Sequence, residues 1–223
     1  LVAENLSSGQ DTVQISREDL QADGDNGLKA GERWSLKNLL DFSLLSSSND
    51  GMAAVARFLG VSGTAIVGDQ EIVDQFVRQM NAKAVELDLK NTYFWNETGL
   101  DESEVKGGAY GTARDMATLL EYIIIYHPST LEATREASLT LPSLDQVDHI
   151  AKNTNDVAGK IPGLIASKTG FTTTAGGNLI FAFDPELGRP IIVTILGSTE
   201  QGRFEDAQKL VSAVFKYLNG EED

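Results

Sequence analysis

The hydrophobic pattern of this chain changes its period about two-thirds of the way along. Before that point, apolar residues recur three and four positions apart, as in Leu36, Leu39, Leu40 and Leu44, which is typical of amphipathic helices. After it come three short β-rich runs, at 164–168, 178–183 and 191–196, joined by short turn segments. Short connections favour antiparallel pairing over crossover units. The sequence therefore predicts an α+β fold, a helical lobe followed by an antiparallel sheet.

Capping residues predict where several helices begin. Ser35 and Asp69 are candidate N-caps, and Thr112 followed three residues later by Asp115 is a variant of the capping box. A last amphipathic segment from Phe204 onward is expected to form a helix that covers the sheet. No repeat or long linker interrupts the 223 residues, so one domain over 1–223 is expected.

Composition excludes several classes of function. Thirty-three acidic residues against 18 basic ones give a net charge of −15, which argues against a nucleic-acid partner and against docking on anionic lipid. The chain contains no Cys, so disulfides, thiolate metal sites and Cys nucleophiles are excluded. Its only histidines, His127 and His149, are too few for a His-rich metal site. No segment has the pattern that predicts a signal peptide or a membrane-spanning helix.

Two short motifs carry residues suited to chemistry. In Lys168-Thr169-Gly170 an ammonium and a hydroxyl on an exposed strand could hold a carboxylate, and the glycine would let a substrate approach the backbone. An edge strand protected by a lysine explains the same residues without a ligand. In Ser47-Ser48-Asn49 a hydroxyl and an amide could relay a proton, or the segment could simply cap the next helix.

Taken together and in this order, the motifs resemble those of the penicillin-recognising serine acyltransferases, S-x-x-K, S-x-N and K-T-G. The finer resemblance is to the low-molecular-weight D-alanyl-D-alanine carboxypeptidases, peptidase family S11. It rests on six ordered segments: GLKAGE at 27–32, SSND at 47–50, NETGLD at 96–101, GTARDMA at 111–117, NTN at 153–155 and KTGFTTTAG at 168–176. The resemblance implies a β-lactamase/transpeptidase-like fold with no metal or organic cofactor.

The resemblance also assigns roles to the first two motifs. Ser47 would relay protons to the leaving amine, and Asn49 would orient a catalytic lysine and the substrate amide. Lys168 would take part in this chemistry and, with Thr169, would bind the terminal carboxylate of the substrate.

Three more positions are assigned by the same resemblance. Gly170 would leave room for the substrate, and the backbone N–H of Phe171 would serve the oxyanion hole. Arg203 either matches a family arginine near the carboxylate site or is a solvated residue at the start of the last helix.

One motif departs from the family pattern. The only Ser-x-x-Lys, Ser103 to Lys106, lies after Ser47 in a polar, Gly-rich segment, where a helical Ser–Lys pair is not expected, so it is interpreted as a chance match. Leu1 to Glu4 resembles the later turns of the family's nucleophile helix. We therefore expect the true motif and the first sheet strands to precede Leu1, and this chain alone to be inactive.

The implied function is a serine-type carboxypeptidase that removes the terminal D-Ala from peptidoglycan stem peptides through an acyl-enzyme. Such an enzyme would be inhibited by β-lactams and would act outside the cytoplasm. A class A-like β-lactamase and a non-catalytic cell-wall-binding pseudoenzyme are the alternatives. The lactamase would need a Glu-containing loop for its deacylating water, and nothing in 92–163 resembles one.

Overall fold

The computed structural model of the chain describes residues 1–5, 11–24, 27–60, 68–186 and 188–221. The helices are α1 Val2–Asn5, α2 Leu36–Ser46, α3 Asn49–Gly60, α4 Asp69–Glu86, α5 Ala113–Tyr126 and α6 Gly202–Leu218. The strands are β1 Thr12–Gln14, β2 Arg33–Ser35, β3 Tyr93–Phe94, β4 Ala109–Tyr110, β5 Ser138–Pro142, β6 Asp148–Lys152, β7 Leu164–Thr172, β8 Gly176–Phe183 and β9 Ile191–Ser198. Leu187, in the turn expected before β9, lies outside the described residues.

Two of the three predicted helix N-caps are confirmed. Ser35 accepts a hydrogen bond from the Asn38 N–H at the start of α2, and Thr112 does the same for the Asp115 N–H at the start of α5. The prediction for Asp69 was wrong, because Gly68 is the N-cap of α4 and Asp69 is its first helical residue. An acidic side chain is also favoured inside the first turn, where it faces the positive end of the helix dipole, so the sequence signal was off by one position.

The helical lobe also contains three two-stranded sheets, β1–β2, β3–β4 and β5–β6. The β5–β6 hairpin and the β1–β2 pair both pack against α2. Trp34, on β2, is fully buried in this core beside Phe42 of α2. The sequence did not predict these strands, because they are too short to show a clear two-residue hydrophobic period. In addition, β1 and its partner β2 are separated by a long connection.

The predicted antiparallel sheet is confirmed, with strand order β7-β8-β9. Alternate residues of β8 face opposite layers, as the two-residue period of a strand requires. Phe181 and Phe183 pack with Phe204 and Val211 of α6, whereas Ala182 packs with Leu120 of α5. This arrangement puts helices on both faces and leaves β7 as an outer strand. None of the helices in the described ranges has the length and apolar character that a membrane crossing needs.

Candidate active site

The outer edge of β7 is closed at one end and open at the other. At Ser167 the edge is covered by the short 3-10 helix Glu132–Arg135. The Ser167 N–H donates to the Thr134 hydroxyl at 3.0 Å, and the Ser167 hydroxyl donates to the Thr134 carbonyl at 3.2 Å. From Lys168 to Thr172, β7 pairs with β8 on its inner side only, among the strands the structure describes. An extended ligand could therefore pair with this segment as an added strand.

Lys168 stands where the open edge begins. Its ammonium donates to the Ser47 hydroxyl and to the Thr169 carbonyl, each at 2.8 Å. Burial, together with the nearby charge of Arg203 as the smaller cause, lowers the pKa of Lys168 to about 8. The ammonium is thus held without full hydration and without an anionic partner.

Ser47 is presented to Lys168 by an unusual backbone conformation. It ends α2 in the left-handed region, with φ 55° and ψ 45°, and its N–H donates to the Ser43 carbonyl. A residue with a Cβ is disfavoured there by about 1–2 kcal/mol, so the surrounding packing must hold it in place. The neighbouring Ser48 is buried and accepts the Gly51 N–H, which confirms that the segment also caps α3.

Arg203 is not a solvated surface residue, since it is only 7% exposed. One of its terminal nitrogens, Nη1, donates to the Gly170 carbonyl at 2.6 Å, whereas its Nε is buried without a hydrogen-bond partner. Burial lowers the pKa of Arg203. Neither Arg203 nor Lys168 forms an ion pair with any residue in the described ranges. Two partly desolvated cations on one strand edge make a site for an anion.

Thr169 is positioned by a residue that the sequence reasoning did not single out. Its hydroxyl lies 2.6 Å from the hydroxyl of Thr154. Thr154 sits between Asn153 and Asn155, whose amides hold the loop. Asn153 also donates to the Thr134 carbonyl at 2.8 Å. The N-x-N segment therefore fixes both Thr154 and the residue that closes the strand edge.

The structure gives less support for the three remaining candidate residues, Asn49, Gly170 and Phe171. The Asn49 amide donates to the Asp23 carbonyl at 2.7 Å, so the structure does not bring this side chain to Lys168. A Cβ on Gly170 would meet nothing closer than 3.9 Å, so packing within the chain does not require glycine there. The Phe171 side chain, on the open edge, is half exposed.

The Ser103–Lys106 motif lies in a turn, as expected, and not in a helix. The two residues face each other across an isolated antiparallel bridge, and the Lys106 ammonium lies 3.4 Å from the centre of the Trp95 ring. No cluster of three or more His, Asp or Glu side chains that could hold a metal ion occurs in the described part of the chain.

A helix-covered antiparallel sheet whose outer strand carries Lys-Thr-Gly, facing a Ser-x-Asn turn between two helices, defines the penicillin-binding class of serine acyltransferase. The chain belongs to the D-alanyl-D-alanine carboxypeptidase family, peptidase S11, whose family model matches residues 3–199.

Several proteins similar to this chain carry the same description. The D-alanyl-D-alanine carboxypeptidase DacF of Bacillus subtilis is 30% identical over 96% of this chain and 53% of its own length. DacD of Escherichia coli is 34% identical over 82% of this chain and 43% of its own length. This chain thus spans about half of these relatives. The crystal structure of a D-alanyl-D-alanine carboxypeptidase from Mycobacterium tuberculosis superposes with a TM-score of 0.79 and 27% identity, covering 96% of this chain and 77% of that one.

Proposed function

We propose that this chain forms the substrate-binding part of a serine-type D-Ala-D-Ala carboxypeptidase acting on peptidoglycan stem peptides, with β-lactams as inhibitors. The observation that carries the proposal is a pair of partly desolvated cations beside β7, Lys168 and Arg203, neither of which forms an ion pair within the described residues. A C-terminal carboxylate would lie against both, with the Thr169 hydroxyl as a further donor. Membership of the S11 family supports this assignment.

The open edge also suggests how the substrate lies. Extended peptide pairing with residues 169–172 would place the scissile carbonyl near the Phe171 N–H, which would stabilise the developing oxyanion. A serine hydroxyl attacks the carbonyl carbon of the penultimate D-Ala, the peptide C–N bond breaks, and the terminal D-Ala leaves with a proton. Water then hydrolyses the ester. The Ser47 oxygen accepts a hydrogen bond from Lys168, so Ser47 can pass its proton to the leaving nitrogen and take one back from the Lys168 ammonium. The proton released by the attacking serine then restores the ammonium, and the net transfer is from that serine to the leaving nitrogen.

The same proposal covers partners and location. A peptidoglycan substrate would place the protein outside the cytoplasm, without a metal or organic cofactor. Its net charge of −15 argues against a nucleic-acid partner.

Peptide binding to the chain tests the carboxylate site directly. A pentapeptide ending in D-Ala-D-Ala should bind, and its C-terminal amide should bind at least about tenfold more weakly, because the charge-assisted contacts to Lys168 and Arg203 are lost. Lys168→Met should remove most of this preference for the acid. Equal affinity of acid and amide would contradict the proposal.

Labelling with a fluorescent penicillin tests the catalytic part. The full natural protein should be labelled covalently and should release D-Ala from the pentapeptide, and Ser103→Ala should leave both unchanged. Labelling that disappears in Ser103→Ala would show that our interpretation of this motif is wrong. Rapid penicillin hydrolysis without D-Ala release would favour the β-lactamase, and neither reaction would favour the pseudoenzyme.

A further inference from the structure

Three aromatic rings lie together on the exposed face of the β3–β4 pair. Tyr93, Trp95 and Tyr110 are 38%, 42% and 59% exposed. Tyr93 stacks on its cross-strand partner Tyr110 with ring centres 6.0 Å apart, and it contacts Trp95 at 4.6 Å. We call these three residues the aromatic platform. Large exposed rings in contact with one another are characteristic of binding surfaces on soluble proteins.

The backbone beneath the platform is held firmly. The Asn81 amide of α4 both accepts the Phe94 N–H and donates to the Phe94 carbonyl, each at 2.8 Å. The Trp95 N–H donates to the Gly108 carbonyl at 2.7 Å. A Cβ on Gly108 would collide with the Leu100 carbonyl, so only glycine permits this approach. A platform fixed in this way binds a ligand with little loss of conformational entropy.

A cleft of about 690 Å³ opens beside the platform, between Trp95 and Tyr110 on one side and the β7–β8 turn on the other. Thr174 and Ala175 of that turn line its far wall. The Lys106 ammonium borders the cleft, and its only described contact is the Trp95 ring, without a hydrogen bond or an ion pair. The cleft therefore offers flat aromatic surface and one unused cationic donor.

The β7–β8 turn, which borders the cleft together with Asn178 of β8 and Leu196 of β9, lies at the end of β7 toward which a bound peptide would run. Because Thr134 closes the edge at Ser167, a peptide anchored by its carboxylate at Lys168 can extend only toward Thr172. Five extended residues span about 13 Å from the first Cα to the last, which is also the length of Lys168 to Thr172. The first residue of a stem peptide would therefore lie beside Thr172, and the group attached to it would reach the turn at 173–175.

We propose that this cleft binds the N-acetylated sugar chain to which the stem peptide is attached. The apolar C–H face of a pyranose ring would lie on the exposed face of Tyr110 and beside the edge of Trp95, whose ring is covered by Lys106. The Lys106 ammonium would donate to an acetamido carbonyl or a hydroxyl. Nucleobases would also stack on such a platform, but the net charge of −15 disfavours them. The inference rests on the proposed function, which supplies a substrate joined to a sugar.

The two tryptophans give a direct test. Trp34 is fully buried and Trp95 is 42% exposed, so a ligand-dependent change in tryptophan emission reports on Trp95. An N-acetylglucosamine tetramer at millimolar concentration should change this emission saturably. Calorimetry should show affinity reduced about tenfold in Tyr110→Ala and in Lys106→Met. Tyr217→Ala, on α6 and 83% exposed in the native chain, is the matched control and should bind normally.

The possible outcomes separate this inference from the proposed function. No saturable change with the tetramer, or equal affinity in native chain, Tyr110→Ala and Lys106→Met, would overturn the sugar site. Both variants should retain native binding of the D-Ala-D-Ala pentapeptide, since neither residue contacts Lys168. If the pentapeptide fails to bind while the tetramer binds normally, the carboxylate site is wrong and the sugar site stands.

Discussion

At the scale of single residues, Lys168 combines function with a cost in stability. The pKa of Lys168 falls from its ordinary value of 10.5 to about 8 on folding. The charged form of the side chain therefore destabilises the folded protein relative to the unfolded chain. Its hydrogen bonds to Ser47 and Thr169 offset only part of that penalty. Under the proposed function this site attracts a carboxylate, which agrees with the finding that no acidic side chain in the described ranges pairs with Lys168.

We therefore predict that Lys168→Met stabilises the fold at pH 7, by about 2 kcal/mol in the free energy of unfolding. The native protein binds fewer protons at this site than the unfolded chain between pH 8 and 10.5. Its stability should rise with pH across that window, and the advantage of the variant should shrink there. Urea unfolding at pH 7, 9 and 10.5 measures this. A constant difference across the three pH values would show that charge burial is not the cause.

The residues of the site were predictable from sequence only in part. Motif order predicted that Lys168, Thr169 and Ser47 lie together, and the structure places Lys168 beside both. Arg203 is buried and not solvated, so its role at the carboxylate site stays a prediction. No sequence pattern indicated Thr134. Its role depends on hydrogen bonds from Ser167 to its hydroxyl and its carbonyl, and the two residues lie in elements far apart in the sequence. Contacts between segments far apart in sequence depend on tertiary packing, which single-sequence patterns do not report.

At the scale of elements, the crossing of α2 and α3 sets the position of Ser47. The two helices approach so closely at Gly51 that a Cβ there would collide with the Ser43 hydroxyl. That hydroxyl donates back to the Leu39 carbonyl at 2.6 Å and is buried. Glycine is otherwise unfavourable inside a helix, so its presence here reflects packing.

Gly51→Ala should therefore destabilise the protein by about 1–3 kcal/mol, although alanine is the better helix former. Adding Ser43→Ala removes the colliding oxygen and should recover about 1 kcal/mol relative to the sum of the single changes. Gly159→Ala, where a Cβ would meet nothing within 4 Å, is the control and should change little. Additive effects of the two substitutions in urea unfolding would exclude the proposed collision.

The β7–β8 turn is held by a contact with the loop between β3 and β4. The Asp101 carboxylate accepts the Thr172 hydroxyl at 2.8 Å and the Thr174 N–H at 3.0 Å. These hydrogen bonds lower the pKa of Asp101, although partial desolvation acts in the opposite direction. The contact therefore persists in mildly acidic solution and is lost as the pH falls through that lowered pKa.

We predict that Asp101→Ala speeds amide hydrogen exchange at Thr174 by at least about tenfold at pH 6, because the N–H loses its acceptor. Asp101→Asn should have a smaller effect, since its carbonyl oxygen can still accept. Asp184→Ala, which removes the acceptor for the Glu186 and Gly188 N–H groups at the other turn, should leave Thr174 unchanged. Unchanged exchange in Asp101→Ala would mean that the turn is fixed without this contact.

At the scale of the whole molecule, the local and overall charges have opposite signs. The chain carries a net charge of −15, yet the site presents the cations Lys168 and Arg203. Long-range repulsion of an anionic peptide is screened by salt, with a Debye length of about 30 Å at 0.01 M and about 10 Å at 0.1 M. The short contacts inside the site are screened much less.

Association of a D-Ala-D-Ala pentapeptide with net negative charge should therefore become a few-fold faster when salt rises from 0.01 to 0.1 M. Stopped-flow measurement of the association rate tests this, with a peptide of zero net charge as the control that should respond little. A slower association at higher salt would show that attraction by the site dominates even at long range.

The fold as a whole was more predictable than its details. The class and the final three-stranded sheet followed from the change of hydrophobic period, because each strand buries alternate residues against a helix. The small sheets of the helical lobe did not, since β3 and β4 contribute two residues each and depend on Asn81 of α4 for their position.

The closure of the β7 edge by Thr134 also bears on how the protein behaves at high concentration. An open, flat strand is a template on which another chain can add, and long apolar strands are the most hazardous. Here only a few residues are open, and they begin with a charged Lys168 and include Gly170. Displacement of the 3-10 helix Glu132–Arg135 would extend the free edge back through Ala166 into an apolar segment. By covering the strand edge at Ser167, Thr134 thus also limits self-association into cross-β aggregates.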